Sequence, residues 1–235
     1  IEVMSDSSSL DEIIRSQIKN KALFEQVKSY AYEYMDTIDQ RPVYPSHKTL
    51  EHLSVFDESF PESIGNAQQI LEALHTYGSA ATVAQTGNRY FGFVNGGVTP
   101  VAIASKWLSD VWDQNAGLFV ISPIASQLES VCEKWLVELF GLPSETVAGF
   151  VSGTSSATMC GLVAARNQLL KNTGWDVQKK GVFNAPRIRV VMSEQAHSTV
   201  FKALSLIGFG MENLEKVPVD DQGRMIAKRI PKLDN

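Results

Sequence analysis

The sequence predicts an α/β fold in which a helical N-terminal segment precedes a mainly parallel β-sheet. Apolar residues recur at helical spacing between Leu10 and Asp39, and this periodicity is typical of amphipathic helices. From residue 147 onward the pattern is strand, helix, strand, helix, strand. That alternation favours parallel strands connected by crossover helices.

The N-terminal part of the chain is predicted to be helical up to the segment RPVYP at 41–45. One or two helices cover 10–39 and end there, because proline lacks the amide hydrogen that a helix needs. A loop with a short helix follows over 46–62, and a further helix over 63–77 ends at Gly78.

Two Ser/Thr-Pro pairs mark the starts of the next two helices. Thr99-Pro100 comes directly after a glycine-rich aromatic loop at 87–97, and Ser122-Pro123 precedes a long apolar stripe. A hydroxyl residue at the N-cap followed by proline at the first helical position is a common helix start. We therefore expect one helix from residue 100 to about 113 and another that ends near 141.

The second half of the chain carries the predicted sheet. The clearest strand is RIRVVMS at 187–193, a compact β-branched run. The predicted elements in order are a strand at 147–151, a helix at about 155–171, a strand at 187–193, a helix that ends near 207, and a strand at 214–219.

Composition and charge exclude several classes of function. The chain has 235 residues and a net charge of −5, whereas a nucleic-acid-binding protein usually has a basic face. No apolar run approaches the roughly 20 residues that span a membrane, and the first residues do not resemble a signal peptide. Two cysteines, Cys132 and Cys160, form no disulfide framework and no metal site. We expect a cytoplasmic protein without a metal.

The segment Gly153-Thr154-Ser155-Ser156 joins small and hydroxyl-bearing residues to the start of a helix. A helix N-terminus offers unpaired N–H groups and a partial positive charge, and small residues let an anion approach the backbone. Neither a Walker A loop nor a GxGxxG dinucleotide motif is present. The segment indicates either a simple helix cap or a phosphate site.

His197 lies in the turn EQAHST, directly after the strand predicted at 187–193. Open α/β sheets bind ligands at the carboxyl ends of their strands, so His197 is either a candidate site residue or a surface histidine. A phosphate site after one strand and an imidazole after a later strand would together suit a flat phosphorylated ring such as pyridoxal phosphate.

The chain resembles the pyridoxal-phosphate-dependent group II amino acid decarboxylases, which include aromatic-L-amino-acid and glutamate decarboxylases. The resemblance runs from about Asn88 to Asp234 and depends on the order of several motifs. These are FVN at 93–95 before Pro100, SP at 122–123 with LE at 128–129, GTSSAT at 153–158 with AAR at 164–166, and SEQAHS at 193–198.

The resemblance implies roles for individual residues. Gly153, Thr154 and Ser155 match the positions that bind the cofactor phosphate, and His197 matches the histidine that stacks on the pyridine ring and takes part in the chemistry. Asn95 matches a cofactor-site loop position that lines the active site. Residues 115–119 match a stretch that reaches toward the substrate pocket of the neighbouring subunit.

The resemblance also implies the organisation of the protein. Residues 1–87 correspond to a helical dimerisation segment, and 88–235 to the first part of the large domain of a type I pyridoxal-phosphate enzyme. The Schiff-base lysine of that family and the aspartate that pairs with the pyridine nitrogen fall after residue 235, and Lys202 is expected to be an exposed helix lysine. We therefore expect about half of a homodimeric enzyme, with the lysine on a further segment or a second chain.

Three functions remain open at this point. The first is decarboxylation of an L-amino acid to an amine and CO₂, with the choice of amino acid undetermined. The second is another pyridoxal-phosphate reaction on the same fold, such as carbon–carbon lysis or desulfuration. The third is a non-catalytic truncated dimerisation module.

Overall fold

A computed structural model describes residues 9–232, which fall into two compact units that divide between Asp113 and Gln114. The boundary predicted between residues 87 and 88 and the dimerisation role of the first segment stay predictions. No helix within the described residues is long and apolar enough to cross a membrane.

The first unit is helical, as predicted. Its elements are α1 (Leu10–Asn20), α2 (Ala22–Thr37), α3 (His47–Glu51), α4 (Ala67–Ala73) and α5 (Pro100–Trp112), with short 3₁₀ turns at His52–Phe56 and Ser79–Ala81 and a π turn at Leu74–Gly78.

Local signals set the ends of these helices. Ser9 and Glu12 form a capping box at the start of α1, and Lys21, with φ 60°, separates α1 from α2. Thr99 and Pro100 occupy the N-cap and first position of α5, as predicted. The helix predicted at 63–77 begins later, at Ala67, because Asn66 provides the cap by accepting a hydrogen bond from the Gln69 amide.

Aromatic and polar contacts hold the first unit together. The rings of Tyr30 and His75 stack with centroids 3.8 Å apart, and Nε2 of His75 lies 3.3 Å from a Glu33 carboxylate oxygen. Arg41 lies over the Tyr34 ring and donates to the Ser79 carbonyl. These contacts join α2 to the turns that follow α4.

The second unit contains the sheet. Its helices are α6 (Pro123–Leu139), α7 (Thr154–Asn172), α8 (Val177–Lys180) and α9 (Ser198–Leu206), and its strands are β1 (Val190–Ser193) and β2 (Leu214–Val217). The two strands are parallel, with Val190 opposite Leu214 and Ser193 opposite Val217. The helix α9 is the crossover between them, which confirms the predicted strand–helix–strand order.

The core of the second unit lies between the sheet and two helices. Met192 of β1 packs with Leu204 and Ile207 at the end of α9, and Leu162 and Val163 of α7 pack against this cluster. At the edge, Arg189 forms two hydrogen bonds of 2.8 Å to the Glu215 carboxylate.

The strand predicted at 147–151 is wrong: this segment belongs to no strand. A strand requires hydrogen bonds to a neighbouring strand, and no described strand pairs with this segment, whose Ala148 amide instead donates to the Glu133 carboxylate at 2.8 Å. Its apolar side chains are consequently accessible, Val147 being 81% exposed.

The apolar stripe of α6 is also largely exposed in this chain. The helix begins at the predicted Ser122-Pro123 pair, yet Leu128, Trp135 and Leu139 are 54%, 67% and 75% exposed. Periodicity therefore identified the helix and its apolar face, but this chain does not bury that face.

Candidate active site

The N-terminus of α7 presents amide groups to which no described residue is hydrogen-bonded. Gly153 is the N-cap residue, in extended backbone geometry with φ 172° and ψ 170°. No side chain within residues 9–232 caps this helix, and its first paired amide is that of Ala157, which donates to the Gly153 carbonyl at 3.1 Å. The N–H groups of Thr154, Ser155 and Ser156 therefore point outward from the helix end.

The surroundings of this helix end fit a phosphate group. A Cβ atom built on Gly153 would meet no atom within 4 Å, so the approach to the backbone is open. Thr154 and Ser155 are exposed, and in the described part of the chain their hydroxyls make no hydrogen bond. The outward amides and the two free hydroxyls can donate hydrogen bonds to a phosphate monoester. The positive end of this 19-residue helix also attracts the negative charge of the phosphate.

His197 lies at the N-terminus of α9, four residues after β1 ends, and its ring is exposed. The ring serves as the N-cap: the Thr199 amide donates to Nδ1 at 3.2 Å, and the Thr199 hydroxyl lies 2.9 Å from the same atom. A ring nitrogen that accepts from an N–H carries no hydrogen itself. For the neutral imidazole, this contact favours the tautomer with the proton on Nε2.

The turn that carries His197 is attached to β2 by Glu194. The Glu194 amide donates to the Val217 carbonyl at 3.0 Å, and a Glu194 carboxylate oxygen accepts from the Val219 amide at 3.0 Å. The turn itself is closed by the Ala196 amide, which donates to the Ser193 carbonyl at 3.1 Å. These bonds fix the position at which α9 begins, and so they also fix the position of the His197 imidazole.

Glu194 and Thr199 have contacts at the site that the sequence does not predict. A carboxylate directly after a buried strand and a threonine two residues after the histidine were visible as residue types. Their roles depend on contacts with β2 and with a ring nitrogen, however, and no periodicity or spacing reports such contacts.

The residues predicted for the site are divided between the two units. Gly153, Thr154, Ser155 and His197 belong to the second unit, where α7 and α9 pack against each other. Asn95 belongs to the first unit, in an exposed loop where its amide nitrogen donates to the Tyr90 hydroxyl at 3.1 Å.

Residues 115–119 form an exposed turn at the start of the second unit. The side-chain oxygen of Asn115 accepts from the Gly117 amide at 3.0 Å, and the Leu118 carbonyl accepts from the Ser122 amide at 3.1 Å. Leu118 and Phe119 are 63% and 66% exposed. The contribution of this stretch to a substrate pocket stays a prediction.

The remaining reactive side chains do not add to the site. Lys202 is exposed on α9, as expected. Within residues 9–232 no group of histidine, cysteine, aspartate and glutamate side chains is placed to hold a metal ion. Cys132 and Cys160 are both free thiols.

A comparison with protein families decides the family. The model described as the pyridoxal-dependent decarboxylase conserved domain matches residues 49–233. The chain belongs to this family. The matched range contains Asn95, the N-terminus of α7 and His197.

Curated relatives are amino acid decarboxylases with different substrates in their names. The chain is similar to acidic amino acid decarboxylase GADL1 of Xenopus tropicalis, with 27% identity over 142 residues, which are 60% of this chain and 27% of the relative. It is also similar to tryptophan decarboxylase 1 of Oryza sativa subsp. japonica, with 26% identity over 212 residues, which are 83% of this chain and 40% of the relative.

Solved structures share the fold. The crystal structure of mouse CSAD in the apo form matches with a TM-score of 0.79 and 21% identity, covering 91% of this chain and 44% of that one. The structure of Oryza sativa TDC with PLP and tryptamine matches with a TM-score of 0.73 and 22% identity, covering 88% of this chain and 44% of that one. The chain thus spans less than half the length of these relatives.

Proposed function

We propose that this chain is the N-terminal part of a pyridoxal-phosphate-dependent decarboxylase that converts an L-amino acid to an amine and CO₂. The observation that carries the proposal is the family match over residues 49–233. Within that range, one compact unit contains a suitable group for each part of a phosphorylated pyridine ring. The uncapped helix N-terminus suits the phosphate, and the imidazole suits the ring.

The N-terminus of α7 holds the phosphate in this proposal. Thr154 and Ser155 supply their backbone amides and hydroxyls, and the helix dipole adds an attraction for the negative charge. Gly153 contributes open space rather than a contact, since nothing lies within 4 Å of its Cβ position.

In this proposal His197 stacks on the pyridine ring and holds or transfers a proton at Nε2. Because Nδ1 is used by α9, Nε2 is the ring atom that remains available for a substrate or cofactor group. Asn95 lies within the range that matches the family, and its part in cofactor binding stays a prediction.

When bound, pyridoxal phosphate supplies the electron sink that lets the carboxylate leave as CO₂. The residues of this chain then bind and orient it. Orientation alone is a large contribution, because fixing reacting groups removes entropy that a bimolecular encounter must otherwise lose. The lysine that the family uses for covalent attachment belongs, in this proposal, to a segment outside residues 1–235.

The substrate class is an acidic or an aromatic L-amino acid. Support comes from the names of the similar proteins, one an acidic amino acid decarboxylase and another a tryptophan decarboxylase. The two classes differ in whether the pocket must bind a second carboxylate.

The full-length protein, reconstituted with pyridoxal phosphate, tests the proposal. It is incubated separately with L-glutamate, L-aspartate, L-tryptophan, L-tyrosine and L-cysteine, and CO₂, amine, aldehyde and sulfide are measured. Equal amounts of CO₂ and the matching amine support the proposal. Sulfide from L-cysteine without CO₂, or an aldehyde in place of the amine, would favour another pyridoxal-phosphate reaction, and no product from any amino acid would favour a non-catalytic module.

We also propose that the protein is a homodimer and that α1 contributes to its interface. Leu10, Ile14 and Ile18 are spaced by four residues along α1, so they share one face, and they are 58%, 46% and 52% exposed. An apolar stripe of this kind is typical of an interaction surface. Light scattering of the full-length protein tests this proposal: Ile14→Asp should weaken the dimer, whereas Arg15→Asp, on another face of α1, should not.

A further inference from the structure

Thr199 makes both of the hydrogen-bonding contacts that the structure shows for the His197 ring. Its amide nitrogen lies 3.2 Å from Nδ1 and its hydroxyl oxygen 2.9 Å from the same atom. Within the described residues, no other group bonds to this imidazole. One residue therefore determines how the ring is oriented and which of its nitrogens carries the proton.

We propose that Thr199 is a positioning residue that holds His197 in the tautomer protonated at Nε2. The inference rests on the proposed function, because the tautomer affects turnover only if His197 takes part in the reaction. Thr199 itself acts through the imidazole.

The two contacts have different consequences. The backbone N–H is a permanent donor, so it requires an acceptor at Nδ1 and thereby places the proton of the neutral ring on Nε2. The hydroxyl rotates, and it can donate to Nδ1 when the ring is neutral or accept from Nδ1–H when the ring is protonated. Thr199 therefore keeps a hydrogen bond to the ring in both charge states.

The anchoring of the turn supports this role. Glu194 fastens the segment before His197 to β2 through two hydrogen bonds of 3.0 Å, while Val200 and Phe201, directly after Thr199, pack against the core cluster. Thr199 is thus held on both sides, and its amide and hydroxyl have fixed positions from which to orient the ring.

Nitrogen NMR of the full-length protein, with histidine ring nitrogens labelled with ¹⁵N, tests the proposal directly. His197→Asn identifies the His197 signals by their disappearance. Thr199→Val removes the hydroxyl at nearly constant shape, and Thr199→Ser is the matched control that keeps it. Spectra are recorded without cofactor, and turnover is then measured with pyridoxal phosphate and the preferred amino acid.

We expect the wild-type protein to show an unprotonated Nδ1 and a protonated Nε2. Thr199→Val should leave Nδ1 unprotonated, because the backbone amide remains, but it should shift the Nδ1 signal, since that atom loses its contact with the hydroxyl. It should also lower kcat by about 3- to 10-fold, the effect of one lost hydrogen bond, with little change in KM. Thr199→Ser should retain the wild-type spectrum and kcat.

A proton on Nδ1 in the wild-type protein would overturn the proposal. So would a Thr199→Val protein in which either the ring spectrum or kcat is unchanged. If no variant decarboxylates any amino acid, the proposed function fails, and the spectra then show independently whether Thr199 sets the tautomer.

Discussion

Replacing Ser155 by alanine tests the phosphate site without altering its backbone. Ser155 is the second residue of α7, is exposed, and its hydroxyl makes no hydrogen bond within the described residues. The substitution removes one donor and leaves the outward amides of the first turn in place. Because alanine is a better helix former than serine, we expect the apoprotein to fold normally.

The expected magnitude follows from the kind of hydrogen bond that is lost. A hydrogen bond to a charged group contributes roughly 1.5–3 kcal/mol, and each difference of about 1.4 kcal/mol changes a dissociation constant tenfold. The Kd for pyridoxal phosphate should therefore rise about 10- to 100-fold. Binding should not vanish, since the amides and the helix dipole remain.

Equilibrium titration of the full-length apoprotein with pyridoxal phosphate, followed by absorbance, measures this change. Ser156→Ala is the matched control: it is the same substitution one position later, where the side chain points about 100° further around the helix. We expect its Kd to remain near the wild-type value.

An unchanged Kd in Ser155→Ala, or an equal rise in both variants, would refute the assignment of this hydroxyl to the phosphate. Thermal unfolding of the apoproteins excludes a trivial cause, because the exposed position predicts melting temperatures close to that of the wild type.

Three further predictions concern the imidazole, the core and the strand edge. Both His197→Asn and His197→Ala should lower turnover about 100- to 10,000-fold, and only the alanine variant should also lose the α9 cap and about 1 kcal/mol of stability; near-normal turnover in either would contradict the catalytic role. Leu204→Ala, at a site 2% exposed, should lower the free energy of unfolding by about 2–5 kcal/mol in urea denaturation, and a change near zero would contradict the assigned core. The hydrogen bonds from Arg189 lower the pKa of Glu215 below its usual 4.5, so the folded state binds fewer protons and the stabilisation is present above about pH 4.5 and lost as the pH falls through the lowered value. Glu215→Gln should therefore destabilise the protein at pH 7 more than at pH 3, and an equal effect at both would refute the pairing.

Local signals in the sequence were sufficient to predict where the helices begin and to which family the chain belongs. The Thr99-Pro100 and Ser122-Pro123 pairs marked the starts of α5 and α6 correctly, because capping and the fixed φ of proline act on neighbouring residues only. The β-branched run at 187–193 likewise contains β1. The motif order led to the family that the comparison then confirmed.

The wrong strand prediction at 147–151 shows what local signals in the sequence cannot predict. Its residues have the composition of a strand, but a strand exists only where a neighbouring strand supplies backbone hydrogen bonds, and no described strand does so here. The exposed stripe of α6 has the same cause, since periodicity shows which face is apolar and not what covers it.

The chemistry of the candidate site depends on both the sequence and the tertiary structure. The sequence by itself determined which residues are available: a hydroxyl pair at the start of α7, and a histidine after β1. Only the tertiary structure decided that the amides of α7 are uncapped, that Glu194 fastens the turn to β2, and that the Thr199 amide and hydroxyl both lie at Nδ1 of His197. The reason is physical, because a residue type fixes which hydrogen bonds are possible, whereas the packed chain fixes which of them are made.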